Sequence, residues 1–401
     1  MWSNLEFTVS SYYYYYAILA NILYLSGATG ARVGQQERHV VRPHQLQMGS
    51  GGTKLSIIRL LLFAPFTLNA LQQPEFWPGQ RVAAAPPTPA RSALASRLSS
   101  SMSSAPPEIV LLPGFGNDRS DYEDADYPGC SMLATLERRG FSVAVLNVRT
   151  SDWLKVFTRG VFSLPFWLGT ATAENAAYEW YISAARQQIR ESSARSGQPV
   201  IVVGHSAGGW LARPAVGLSG GGGGEEEEGG DLRGMVSAIV SLGAPHAPPP
   251  EGVFDPTRGV INDVTQRFSA SFFTGGGGGG SGDDDDDEKE GCPKCALVTV
   301  AGNGIVGDSG SELPWARASA TAYATVLGGA GSGVEGDGTV PLAAAHLPGA
   351  SMQLTLDAMH SVVVPGTQLS STTWYGSERM VDRWLGPTLD LVVEQQGKTG
   401  W

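Results

Sequence analysis

The chain predicts a doubly wound α/β fold with a mostly parallel sheet, and three observations carry that prediction. Short apolar runs alternate with helix-spaced segments through the first half of residues 106–390, the order in which crossover helices link parallel strands. One apolar run, residues 199–203, passes through Gly204-His205-Ser206-Ala207-Gly208 straight into a helical segment, 209–213. Further on, Asp337 stands in a glycine-rich loop and His360 in a loop after the last strand-like run.

Six runs read as strands: 109–112, 142–148, 200–203, 236–242, 296–300 and 352–356. Helical spacing covers residues 130–139 and 173–193. In the second of these, Ala177, Trp180, Tyr181, Ala184, Ala185 and Ile189 fall on one stripe. The helix after residue 208 carries Pro214, which removes a backbone donor and is expected to kink or end it. The motifs spread over these elements define one domain at 106–390, between an extension at 1–105 and a tail at 391–401. Two low-complexity acidic loops, 219–231 and 274–291, interrupt that domain.

Gly204-His205-Ser206-Ala207-Gly208 has the form G-x-S-x-G between a strand and a helix. A serine hydroxyl is a poor nucleophile unless it is held in the open beside a base, and a tight strand-to-helix turn does this. Glycines two residues to either side let neighbouring backbone pass close. The acid should follow, and Asp337 in Gly336-Asp337-Gly338 is the candidate, against the plain alternative of a surface Asp-Gly turn. The base should come last. His360 is the candidate and His346, nine residues after Asp337, is the competitor. His205 is expected to point away from the serine's partner, and His246 to be a pocket-wall or structural residue. An oxyanion needs fixed N–H donors. The backbone amide of Ala207 should be one donor and that of Phe115 the other, with Gly116 as second choice, in the turn Pro113-Gly114-Phe115-Gly116-Asn117.

With these pieces in place the chain resembles plant and algal α/β-hydrolases, often plastid-directed and distantly related to lipases and GPI inositol-deacylases. Leu112-Pro113-Gly114-Phe115-Gly116-Asn117, Asp152-Trp153-Leu154 and residues 204–213 carry the resemblance. It continues through Leu242-Gly243-Ala244-Pro245-His246, Gly336-Asp337-Gly338, His360-Ser361 and Trp374-Tyr375-Gly376-Ser377. The resemblance implies the α/β-hydrolase fold and a triad of Ser206, Asp337 and His360, and says little about substrate.

Residues 152–168 form an aromatic, apolar insert, read as a small cap over the pocket with Trp153, Phe157, Phe166 and Trp167 touching substrate. Plain core packing explains the same residues equally well. A cap of this kind suits a lipid or other apolar ester, so the expected reaction is hydrolysis of a carboxylic ester through an acyl-enzyme. Acyl transfer and thioester hydrolysis use the same triad. A binding protein that keeps the fold is the non-enzymatic alternative. The expected partner is a small-molecule or lipid ester; peripheral membrane contact stays open, and so does the oligomeric state.

Net charge is −11, but residues 225–228 and 283–290 together hold −10 of it. Both tracts are expected to be solvated loops, and no basic patch argues for nucleic acid. No metal-ligand cluster, dinucleotide fingerprint or P-loop is present, so no cofactor is implied. Three cysteines do not make a disulfide framework. Cys292-Pro293-Lys294-Cys295 is a C-x-x-C read as incidental, with a thiol switch as the alternative, and Cys130 reads as a buried helix residue. Residues 80–104 are rich in Ala, Ser, Pro and Arg without one acid, as transit segments are. Met48 is then a candidate true start, residues 55–70 a signal core, and a plastid the expected destination. A membrane anchor at 55–71 is the competing reading.

Overall fold

Why the runs form strands is visible in how they bury. In the computed structural model, which describes residues 106–123, 129–219, 230–275, 294–362 and 373–399, the first strand β1 (Ile109–Leu112) is buried at every position. Val110 and Leu112 point into one apolar layer with Val200 and Val202. Ile109 and Leu111 point into the opposite layer with Ile201 and Val203. Burying each such side chain contributes about 1.5–3 kcal/mol. A two-faced strand therefore reads as an unbroken apolar run rather than an alternating one.

The other strands are β2 (Val143–Val145), β3 (Val200–His205), β4 (Val236–Leu242), β5 (Ala296–Gly302), β6 (Ile305–Val306), β7 (Glu335–Gly336) and β8 (Met352–Leu356). Six of them pair, all parallel, in the order β2-β1-β3-β4-β5-β8, while β6 and β7 make a small antiparallel ribbon. The helices are α1 (Ser120–Glu123), α2 (Met132–Arg138), α3 (Leu154–Gly160), α4 (Leu164–Leu168), α5 (Ala176–Ser196) and α6 (Ala207–Gly217). They continue with α7 (Val260–Arg267), α8 (Ala270–Thr274), α9 (Pro314–Leu327), α10 (Leu342–Ala345) and α11 (Glu378–Thr399). Helices α5 and α6 cover one face of the sheet through Ala177, Tyr181, Ala185, Ile189, Leu211 and Ala215. Helices α2 and α11 cover the other through Met132, Leu136, Val381, Trp384 and Leu385. All the described residues belong to one compact unit.

The chain leaves β1 toward β2 on one side, and the sheet continues on the other through β3. A crevice opens where a sheet's order reverses in this way, beyond the carboxyl ends of the strands. Ser206 follows β3 and His360 follows β8 at that edge, and Asp337, which follows β7 of the ribbon, bonds His360 there.

Several expected boundaries shift. The second strand covers three residues rather than 142–148, because β2 is an edge strand whose sole partner β1 offers four residues to pair with. Pro214 does not end its helix: α6 runs on to Gly217 and every residue of it is buried. Tertiary packing, which supplies most helical stability, outweighs the one lost backbone bond. The last helix continues through the tail drawn at 391–401, with Leu389 and Val392 buried against the sheet layer. The stretch after residue 313 is a helix that ends at Gly328, which sits at φ 68. The extension 1–105, Cys292 and residues 220–229 and 276–293 lie outside the described residues. Among the described residues, no helix is long and apolar enough to cross a membrane.

Candidate active site

The turn after β3 is strained at the serine. Ser206 has φ 51 and ψ −122, a backbone state that side chains avoid. It is held there by its N–H donating to Leu242 O at 2.9 Å, and Gly209 N–H donates back to Ser206 O at 2.9 Å. The glycines are steric requirements. A Cβ at Gly204 would stand 2.4 Å from Gly208 O, and one at Gly208 would stand 2.2 Å from Leu112 O. The start of α6 is thus pressed directly onto the end of β1. Gly208→Ala is expected to destabilise the protein by about 1–3 kcal/mol, as overpacking does, and denaturant unfolding measures it.

The loop after β1 comes equally close. A Cβ at Gly114 would lie 2.9 Å from Ser206 Cβ. Asn117 N–H donates to Gly114 O at 3.0 Å, and Gly116 has φ 78. That is the turn in which the third residue must be glycine. Phe115 occupies its second position and Ala207 begins α6, so both backbone amides named as oxyanion donors flank the serine.

Asp337 is buried, and four donors converge on its carboxylate. Oδ1 accepts the N–H of Thr339 at 3.0 Å and of Val340 at 2.7 Å. Oδ2 accepts His360 Nδ1–H at 2.8 Å and the Tyr375 hydroxyl at 2.9 Å. Burial alone would raise the Asp337 pKa, but the His360 charge and these hydrogen bonds outweigh it and hold it below the usual aspartate range. An ionised carboxylate only accepts, so His360 Nδ1 carries a proton, and in the neutral ring the lone pair lies on Nε2. Among the described residues neither Ser206 Oγ nor His360 Nε2 has a hydrogen-bond partner, and no bond joins them directly. His346 is elsewhere: its ring nitrogens meet Thr299 Oγ1 and Thr355 Oγ1, each at 3.0 Å. Of the two histidines, His360 is the one at Asp337.

His205 does not point away from the base, as expected, but toward its loop. Its Nε2 donates to the backbone carbonyl of His360 at 2.9 Å, and the two rings lie 4.8 Å apart. With that nitrogen protonated, Nδ1 accepts from the Tyr122 hydroxyl at 3.0 Å, and Tyr122 in turn accepts Gly114 N–H at 3.0 Å. One directed chain therefore ties the β1 loop, the serine turn and the base loop together. Burial first, then the His360 charge, pushes the His205 pKa down to about 3, so the ring is neutral. Tyr122 had no signal in the sequence, and Tyr375 only its place in Trp374-Tyr375-Gly376-Ser377 without a role, since each acts through a hydroxyl on residues far along the chain. His246 is structural: it is buried and its Nε2 pairs with Ser241 Oγ at 2.9 Å.

The aromatic insert divides. Trp153 is fully buried and packs beneath Phe115 at 4.9 Å with its indole N–H on Asn117 O. Phe166 is buried against Gly160, where a Cβ would meet its ring at 2.8 Å. Both are packed into the core cluster, as the plain core-packing alternative expects. Phe157 is half-buried and lies edge-on to Phe115 at 6.4 Å, beside the site. Trp167 stands exposed on the outer face.

Cys295 is buried, and burial pushes its thiol up to about 12, which is the opposite of a reactive cysteine. Cys130 is buried as expected, just before α2. Among the described residues no group of three or more His, Cys, Asp or Glu side chains could hold a metal ion.

Among solved structures, the chain is similar to the mature lipase BlEst2 of Bacillus licheniformis at 16% identity and TM-score 0.38, over 72% of this chain and 92% of that one. TT1662 of Thermus thermophilus matches at 14% identity and TM-score 0.33, over 72% and 90%. EstA of Clostridium botulinum matches at 13% identity and TM-score 0.36, over 70% and 88%. No curated protein matches the chain. The sequence pattern of the alpha/beta hydrolase family spans residues 109–377, from the first strand to the turn before the last helix. The chain belongs to the alpha/beta hydrolase family.

Proposed function

We propose that the protein is a serine hydrolase of carboxylic esters with an apolar acyl group. The observation that carries this reading is the Asp337–His360 pair at 2.8 Å, whose loop is tied through His205, at 2.9 Å, to the turn that holds Ser206 at φ 51. In the reaction, Ser206 Oγ attacks the ester carbonyl as His360 Nε2 takes its proton. The oxyanion that forms sits on the backbone amides of Ala207 and Phe115. His360 passes the proton to the departing alcohol, and water then frees the acyl group by the same steps in reverse. Asp337 stays ionised throughout and holds His360 in the tautomer that leaves Nε2 free. Phe157, beside Phe115, is the aromatic placed to meet the acyl chain.

The test is turnover of nitrophenyl esters of increasing chain length by the full chain. The reading expects activity that rises from acetyl toward medium chains. Turnover of thioesters but not oxygen esters would replace it.

Tyr375 acts here as a positioning residue. Its hydroxyl shares Asp337 Oδ2 with His360, and a hydrogen bond to a charged group is worth about 1.5–3 kcal/mol. Tyr375→Phe makes the ionised carboxylate less favourable, so the Asp337 pKa rises. Activity should then fail at a higher pH on acidification, with kcat lowered about tenfold or more and KM little changed. A pH–rate profile checks this.

The destination of the chain belongs with this proposal. Residues 80–104 hold no acid, and fusing residues 1–105 to a fluorescent protein tests plastid delivery against retention on a membrane.

A further inference from the structure

Helices α3 and α4 present an apolar face that the fold does not use. Six of the nine large apolar side chains exposed among the described residues lie within residues 154–168. Phe162 is 91% exposed, Leu164 68% and Leu168 67%, and Leu154, Val161 and Trp167 accompany them. The same helices bury Val156, Gly160 and Phe166 on their inner side. Soluble proteins seldom gather exposed apolar side chains in one place without a partner for them.

The face is built, not frayed. Ser163 caps α4 and receives the Asn175 side-chain amide at 2.7 Å. The Trp167 indole N–H donates to Val161 O at 2.8 Å, so its polar edge is satisfied and its ring is displayed. Arg258, with a left-handed φ of 58, donates through Nε to Phe166 O at 2.8 Å and through Nη2 to Trp167 O. Apart from Ser206, no other non-glycine residue among those described has a left-handed φ. A strained backbone here is spent on holding α4 in place.

Charge selects the partner. The chain carries −11 overall, yet residues 153–173 contain no Asp or Glu. Lys155 and Arg159 lie within the segment, and Arg149, exposed, stands just before it. Lys155 is paired with Asp152 at 2.8 Å and Arg149 also faces that carboxylate, which leaves Arg159 as the exposed cation within the segment. An apolar face with a Trp and a cationic rim matches the headgroup–acyl boundary of a bilayer that carries anionic lipid.

We infer that this face docks the protein onto an anionic phospholipid surface, placing Phe157 and the Phe115 loop next to the lipid. The inference rests on the ester-hydrolase reading for its substrate, which would be an acyl ester lifted from that surface. It does not rest on that reading for the binding itself.

The experiment compares the full chain with Phe162→Glu/Leu168→Glu and with Arg159→Glu. Each is sedimented with phosphatidylcholine vesicles, with and without phosphatidylglycerol, and assayed on a water-soluble nitrophenyl ester. The set is repeated with residues 55–71 made polar in every variant, so that binding through that stretch does not mask the face. The double variant should lose about tenfold or more of its binding to anionic vesicles. Arg159→Glu should lose binding to anionic vesicles alone, and both should keep the wild-type melting temperature and soluble-ester rate. Unchanged vesicle binding in the double variant would overturn the inference. So would equal wild-type binding to neutral and anionic vesicles, or a dimer that the double variant dissociates, which would make the face a protein interface. Vesicle binding by a wild type that turns over no ester would retire the hydrolase reading and leave the docking surface standing.

Discussion

Ser206→Ala should yield a folded protein that has lost ester turnover by a factor of roughly 10⁴–10⁶, the scale at which removal of a triad nucleophile operates. The loss is large because nothing else in the site can form the acyl-enzyme, while oxyanion donors and substrate contacts survive to give a residual rate. Stability should move the other way in a companion variant. Ser206 holds φ 51 and ψ −122, a strain of about 1–3 kcal/mol. Alanine keeps that strain, so its melting temperature should match wild type. Glycine relieves it at a cost of about 0.5–1 kcal/mol in chain entropy, so Ser206→Gly should be as stable as wild type or more so. Calorimetry of both variants, beside kcat, separates the nucleophile from its scaffold.

Asp337→Asn should lower kcat by about 10⁴ with little change in KM, because it leaves the shape and reverses the hydrogen bonding. An amide can turn its NH₂ toward His360 Nδ1, which then becomes the acceptor and moves the ring proton to Nε2. The base then has no lone pair facing the serine. The Thr339 and Val340 amides, which both donate to Oδ1, favour that orientation by keeping the amide oxygen on their side. The variant also reports on stability. The folded-state pKa of Asp337 is depressed, so the carboxylate contributes stability that is present above the unfolded pKa, about 3.9. It is lost as pH falls through the folded value. The gap in unfolding free energy between wild type and Asp337→Asn should therefore be constant above about pH 5 and narrow on acidification below the ordinary aspartate pKa. Urea titrations at a series of pH values check this.

What could be read from residues alone follows from what leaves a local mark. Ile109–Leu112 and Val236–Leu242 were legible because burial in a parallel sheet demands an apolar run bounded by turns, and Met352–Leu356 because an edge strand with one half-buried face alternates apolar and polar residues. The Ser206 turn was legible because its close backbone contacts demand glycine at 204 and 208. The Asp337–His360 pairing followed from chain order alone, without any measure of distance. The rest depends on contacts that span the fold. Tyr375 reaches Asp337 across 38 residues and Tyr122 reaches His205 across 83, with no spacing rule to announce either. His205 was expected to point away from the serine's partner because the direction of the last strand residue before the turn is not fixed until the loop above it is placed. Trp153 and Phe166 could be read as pocket lining or as core because hydrophobicity does not distinguish a cavity wall from a core. The end of α11 was missed because its polar outer face, Glu394-Gln395, resembles a tail while Leu389 and Val392 on its inner face are buried.

The chain of hydrogen bonds from Gly114 through Tyr122 and His205 to the His360 carbonyl gives the site its coherence. It couples the loop that should bind the oxyanion to the loop that carries His360, through the residue next to Ser206. A neutral His205 is required for it, since Nδ1 must accept while Nε2 donates.

The central claim is that Ser206 is an activated nucleophile, and covalent labelling tests it most directly. The full chain is treated with a fluorophosphonate, digested, and the adduct located by mass spectrometry. The account predicts one adduct on the peptide that contains Ser206, absent in Ser206→Ala and strongly slowed in Asp337→Asn. A folded wild type that takes no label, or an adduct that persists elsewhere in Ser206→Ala, would contradict it.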